Sequence, residues 1–457
     1  MSVPRPLPAG FVEALLEQGV SHVSTDPVEL AAVAVDRSGI VPEGPPGVLV
    51  RAAGVDDVQS ALWLASEFEV PVVPRGGGSG VAGAAVAGPG SLVLDLSGLN
   101  RILEVDPVDQ IAVVEPGVIT AHLEAAAGRV GLRYAPDPAS AAISTIGGNV
   151  ATNAGGLRCV KYGVTRDAVL GLDVVLADGT LISTGRQTLK GVAGLDLTGL
   201  FVGSEGTLGV VVGATLRLRP LPLETLTVAA AYPDVESAAR ACAAVAAARR
   251  EPSMLELLDA RTLGVVDAVQ GTSYAERGGA LVIAQADGAS AGSEIAAIAE
   301  VLGKEATWIE QGLDDASSAR LVEARRLALP SIETLGSVLI EDICVPRSRL
   351  AEAFRRVAEI GDRHGVRIYS FAHAGDGNLH PLIGYEPGPV PDAVVAAGDD
   401  LFALALELGG TVSGEHGIGL LKREWLHREI GPEALSVHQS IKTALDPLGI
   451  LNPGKGY

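Results

Sequence analysis

The chain has 457 residues, 47% of them hydrophobic, and a formal net charge of −21. That length predicts two or three packed units with ample core. The acidic surplus repels phosphate backbones and anionic lipid, which excludes nucleic acid and a polybasic membrane dock as partners. Residues 1–41 predict a helical lead-in with an apolar face through Phe11, Leu15 and Leu16. From Gly47 short β-type runs follow, at Val48 to Val50, Val70 to Val73, Leu92 to Leu96 and Ile111 to Val114, with a helical stretch from Val55 to Glu69 after the first. Val169 to Ser183 turns at Asp178-Gly179, a hairpin signal, and Val210 to Leu218 alternates before Pro220 and Pro222.

Beyond Pro222 strands alternate with helices. Strands are expected at Thr225 to Tyr232, Ala280 to Ala286, Val338 to Val345 and Val366 to Ala372. Helices are expected at Val235 to Arg250, Gly292 to Leu302 and Arg349 to His364, and over Pro432 to Leu448 at the end. The reading is an α+β chain: lead-in 1–41, a glycine-turn unit 42–222, a unit 223–430 built on an antiparallel sheet with helices on one face, and a helix and tail 431–457 returning to the earlier unit. Cys159, Cys242 and Cys344 are far apart and form no CxxC pair, so the chain brings no four-thiolate iron–sulfur or zinc site of its own. Met1 to Val20 lacks a basic segment followed by an apolar core, and no run of about 18 uncharged apolar residues occurs. A cytoplasmic protein without direct membrane insertion is expected, with docking to an inner-membrane partner left open.

Three glycine-rich segments stand out. Pro74-Arg75-Gly76-Gly77-Gly78-Ser79-Gly80 follows a strand and lacks the lysine of a triphosphate loop. Its successive N–H groups suit a nest for a pyrophosphate. Pro136, Asp137 and Ser140 precede a run of small residues: Gly147, Gly148, Asn149, Ala151, Thr152, Asn153, Gly155 and Gly156. Packing alone does not call for so little side-chain volume, whereas a flat ligand lying on the backbone does. The asparagines would then serve its polar edges. The segment from Gly203 repeats the pattern with Glu205, Gly206, Gly209 and Val210.

In this order the three segments resemble the FAD-binding domain of vanillyl-alcohol-oxidase-type flavoenzymes. The resemblance implies that Arg75 to Gly80 cradle the FAD pyrophosphate and that the later segments line its adenine, ribityl and ring regions. Some members tether the flavin through a histidine in the first loop. Arg75 to Gly80 holds none, so noncovalent FAD is expected.

Six of the eight histidines follow residue 363. His373-Ala374-Gly375-Asp376-Gly377-Asn378-Leu379-His380 can fold back so that two imidazoles converge, and Gly414-Glu415-His416-Gly417 adds a carboxylate and a third ring. Imidazole with carboxylate suits Zn, Mn or Fe as a divalent ion, with positions left open for substrate. Both motifs, with the ending Asp446 to Lys455, resemble the group of the glycolate oxidase flavin subunit, D-lactate dehydrogenase and D-2-hydroxyglutarate dehydrogenase.

That likeness implies metal ligands at His373, His380 and Glu415, a base at His416, a carboxylate-binding Arg325 in Glu323 to Arg326, and a cofactor-side role for Asn452. A solvated helix face is the plain alternative for Arg325. The implied reaction takes a small 2-hydroxy acid, D-lactate or glycolate, to the 2-oxo acid, with hydride passing to flavin N5 and metal assistance. Apolar Ile340 and Leu382 favour a short acid over 2-hydroxyglutarate if they line the pocket. With no cluster in the chain, electrons go to an external acceptor: an iron–sulfur subunit, an electron-transferring flavoprotein, a quinone or oxygen. The rival readings are D-2-hydroxyglutarate oxidation, a metal-free FAD alcohol oxidase of the same fold, a non-catalytic flavin subunit, and a metal-binding structural protein.

Overall fold

The computed structural model describes residues 6–457, so the first five residues of the expected lead-in lie outside the described residues. The chain forms two compact units. One comprises the residues up to Gly155 with Val164–Leu221 and Glu415–Tyr457, and the other comprises Gly156–Gly163 with Pro222–Gly414. The return to the first unit thus comes at Glu415, earlier than the expected 431. Its cause is hydrogen bonding close behind Glu415: the Ile418 and Gly419 amides donate to the Glu205 carboxylate and the Leu420 amide to the Ala82 carbonyl.

In the first unit, a four-stranded sheet runs in the order His22–Ser24, Val48–Arg51, Leu92–Asp95, Val72–Arg75. The last three strands are parallel, joined through the helix Val55–Glu67. Parallel strands are covered on both faces and read as continuous apolar runs; Val48, Leu49, Val50, Leu92, Val93 and Leu94 are accordingly all buried. A five-stranded antiparallel sheet follows in the order Ile102–Asp106, Ile111–Val114, Val210–Arg217, Val169–Val175, Leu181–Gly185. In the lead-in helix Phe11–Glu17, Phe11 and Leu15 enter the core while Leu16 is 57% exposed, so the expected apolar face is narrower than three residues.

The second unit is built on one antiparallel sheet ordered Trp308–Gly312, Thr225–Tyr232, Ala280–Asp287, Met254–Asp259, Arg367–His373, Asn378–Tyr385, Ser337–Ile340. The strand expected over Val338 to Val345 breaks into Ser337–Ile340 and Ile343–Cys344, both paired with Asn378–Tyr385. The break falls on two buried acids, Glu341 and Asp342, and Asp342 accepts from the Ser413 hydroxyl. Helix Leu350–His364 buries Leu350, Ala353, Phe354, Val357 and Ile360, a stripe of helical period, and stops at Gly365 with φ 66°. Leu382 is fully buried in the core cluster with Tyr369 and Phe371. It presents no wall to a substrate, and the size argument drawn from it falls.

Candidate active site

The first glycine loop leaves the sheet at Arg75. The Arg75 guanidinium turns back onto the carbonyls of Val33 (3.2 Å) and Val35 (2.8 Å), so its side chain anchors the loop to the lead-in. Among the described residues the amides of Gly77, Gly78 and Ser79 meet no protein acceptor. Gly78 has φ 62°. A row of unsatisfied N–H groups with a left-handed residue in it is the geometry that holds phosphate oxygens. These residues therefore fit the pyrophosphate of FAD.

The middle segment differs from expectation. Ile146–Thr152 is a helical turn capped by Thr145, whose hydroxyl accepts from the Gly148 amide. Its asparagines are engaged within the protein. Asn149 Nδ2 donates to Thr120 Oγ1 at 2.7 Å, and Asn153 Oδ1 accepts from the Arg166 amide at 2.9 Å. Small residues here also serve packing, since a Cβ on Gly147 would lie 2.6 Å from the Pro116 Cβ. The emptiness read from sequence is thus partly filled by loop-on-loop contact. Pro136 is buried and Pro138 and Ser140 carbonyls accept from Ala141, Ile143 and Ser144, which closes that segment into a turn.

Two further residues expected at the cofactor also spend their polar groups inside the protein. The Glu205 carboxylate accepts from the Ile418 and Gly419 amides. Asn452 Nδ2 donates to the carbonyls of Ala84 (3.0 Å) and Glu205 (2.7 Å), and its Oδ1 accepts from Lys455 Nζ at 2.7 Å.

In the second unit strand register builds a polar cluster. Arg367–His373 and Asn378–Tyr385 form a hairpin in which His373 faces Asn378 and Phe371 faces His380. Because side chains alternate along a strand, Phe371, His373, Asn378 and His380 share one face. The two imidazoles meet edge to face with ring centres 5.0 Å apart, both buried. On the neighbouring strand Glu256 pairs in register with His373. Its carboxylate receives His373 Nδ1 at 2.8 Å, and it is fully buried. A proton held on Nδ1 by a carboxylate leaves the lone pair on Nε2, the arrangement that orients a metal-bound histidine.

Arg325 closes the cluster. It is 6% exposed, donates from Nε to Glu256 Oε2 at 2.6 Å, and lies 4.0 Å over the Phe371 ring. The solvated-face alternative for Arg325 is therefore wrong. A buried carboxylate demands such a partner, since an uncompensated charge there is costly. Glu256 is the residue that sequence reading missed. The available signal was a lone acid inside the apolar strand Met254–Asp259.

Glu415 follows Gly414, which packs on the Asn378 amide. His373 and His380 thus set two imidazoles side by side in the second unit, and the carboxylate of Glu415 opens the segment that belongs to the first. Two imidazole nitrogens with the Glu256 carboxylate behind one ring are donors of the kind a divalent transition metal takes. His416 comes next in the chain, with Nε2 3.7 Å from Glu415 Oε1.

Comparison with known proteins gives a family match in each half of the chain. Residues 46–185 match the FAD binding domain family, and residues 221–456 match the C-terminal domain family of FAD linked oxidases. The chain is 39% identical over 418 residues to a glycolate oxidase subunit GlcD of Bacillus subtilis, covering 90% of this chain and 89% of that protein. It is 37% identical over 415 residues to a D-lactate dehydrogenase of Archaeoglobus fulgidus, covering 89% and 90%. In fold it is similar to 4-ethylphenol oxidase from Gulosibacter chungangensis, with TM-score 0.82 at 19% identity over 99% of this chain and 98% of the other. A p-cresol methylhydroxylase structure gives TM-score 0.81 at 17% identity, with the same coverage. The flavin loops, the cap sheet and these relatives together place the chain in the FAD-linked oxidases, flavoenzymes of the vanillyl-alcohol-oxidase fold.

Proposed function

We propose that this enzyme oxidises a short 2-hydroxy acid, D-lactate or glycolate, to the 2-oxo acid, and passes the electrons to an external acceptor. The observation that carries the reading is the buried pair His373 and His380, backed by the Glu256 contact to His373. Relatives named glycolate oxidase and D-lactate dehydrogenase support the substrate class. The word subunit in the GlcD names supports an assembly with further chains, and an iron–sulfur subunit or an electron-transferring flavoprotein suits a chain with no CxxC pair. No helix among the described residues is long and apolar enough to cross a membrane.

The protein's own groups divide the work. His373, His380 and Glu415 would hold a divalent ion, Zn, Mn or Fe, which supplies Lewis acidity to a chelating hydroxyl and carboxylate. The Gly76 to Gly80 amides would hold FAD noncovalently, and FAD when bound would supply the acceptor for the C2 hydride. His416 takes the hydroxyl proton as the base, so that the substrate loses one hydride and one proton in all. Arg325, with Nε given to Glu256, has its terminal N–H groups for the substrate carboxylate.

The test is anaerobic bleaching of the flavin by a panel of D- and L-2-hydroxy acids. D-lactate or glycolate should reduce it fastest. A clear preference for 2-hydroxyglutarate, or bleaching unaffected by removal of bound metal, would overturn the reading.

A further inference from the structure

The turn that follows His416 is fastened by a carboxylate from the third glycine segment. Glu205 is 6% exposed. Its Oε1 accepts from the Ile418 amide at 3.1 Å and the Gly419 amide at 3.0 Å, and Oε2 accepts from the Gly419 amide at 3.0 Å. A Cβ added to Gly417, where φ is 80°, would lie 2.3 Å from Glu205 Oε1, so the turn closes directly on the carboxylate. All these residues belong to one compact unit.

Glu205 is itself held on two sides. Its backbone stands at φ 52°, an uncommon conformation for a residue with a side chain. Asn452 Nδ2 fixes its carbonyl at 2.7 Å, and Lys455 Nζ fixes Asn452 Oδ1 at 2.7 Å. The Gly456 amide donates to the Gly419 carbonyl at 3.1 Å, which ties the C-terminal segment to the same turn.

We propose that Glu205 is a positioning residue: by fastening the Gly417–Gly419 turn it sets the place and angle of the His416 imidazole. The proposal rests on the reading of His416 as the base. Its physical ground is the match of groups. Two backbone N–H groups point at one buried carboxylate, which only accepts. Glutamine would turn an NH2 toward at least one of these donors and leave that contact unmade. Loss of the fastening lets the ring drift, and a displacement of about 1 Å costs on the order of 100-fold in rate.

The experiment is a double-mutant cycle on the FAD-loaded, full-length enzyme, reading anaerobic flavin reduction by D-lactate together with flavin content. Glu205→Gln should keep its FAD and hold KM within about twofold, while kcat falls roughly 10–100-fold. On a His416→Ala background the same change should alter the rate by less than about twofold, because the group it positions is gone. Gly417→Ala, which presses on the carboxylate from the turn side, should reproduce the loss. An undiminished rate in both variants, loss of FAD from Glu205→Gln, or an equal fold-loss with and without His416 would each overturn the proposal. His416→Ala alone running at full rate would instead sink the function reading, and this proposal with it.

Discussion

The two units are built by opposite means. The flavin-binding unit strips side chains away and offers backbone: Gly77, Gly78 and Ser79 present amides that no described group satisfies. The second unit concentrates side chains: Glu256, His373 and His380 stand on neighbouring strands of its sheet with Arg325 reaching in from a helix, all nearly or fully buried. Backbone recognition tolerates variation in side chains but none in conformation. Side-chain recognition tolerates conformational slack least where one charge balances another. Substitutions should therefore fail differently in the two places.

The sharpest break in that contrast lies at His416. His416→Ala should retain FAD and lose about 10²–10⁴-fold in turnover, the range for removing a general base. Yellow protein with normal turnover would refute the assignment. Next is Glu256→Gln, which keeps shape but removes the charge behind His373. Metal affinity should fall about 10–100-fold, read by elemental analysis after dialysis against a weak chelator. Unchanged metal content would show that Glu256 serves only Arg325.

A smaller effect should come from the backbone side. Gly77→Ala puts a methyl 2.3 Å from the Ile143 carbonyl oxygen, so the loop must shift. Strain of about 1–3 kcal/mol is expected, with roughly tenfold weaker FAD retention and metal content unchanged. If FAD is retained as tightly as before, the nest reading of this loop fails.

The smallest effect concerns pH. Burial pushes the Glu205 carboxyl up to about 7 from 4.5, against the pull of the Gly419 and Ile418 amides and of Lys422 and Lys455. A native value above the unfolded one means that the folded state binds more protons between those limits. The stability from this group is then full below the unfolded value and is lost as pH rises through the folded one. The unfolding midpoint of the FAD-loaded protein should therefore decline a few degrees from about pH 5 to pH 7.5 relative to Glu205→Gln, which has no proton to lose. Parallel curves would assign the pH response to other groups.

Much of the fold was legible because it is written in local pattern. The apolar runs at Val48–Arg51 and Leu92–Asp95, the Asp178-Gly179 hairpin and the amphipathic stripe of Leu350–His364 need only nearest neighbours to be read. Where two buried acids interrupt an apolar run, at Glu341 and Asp342, pattern reading continued a strand that the structure breaks. The hairpin that brings His373 against His380 was legible too, since its glycine spacing announces a tight turn.

What local pattern settles in this chain is where the glycine-rich turns fall and where imidazoles and carboxylates are concentrated. Partnership was decided only by the folded chain. Strand register set Glu256 opposite His373, burial turned Arg325 inward onto that carboxylate, and the last residues locked Glu205 beneath the His416 turn. Such choices depend on residues dozens to hundreds of positions apart, and the free energy of a buried charge is fixed by whatever neighbour the fold supplies.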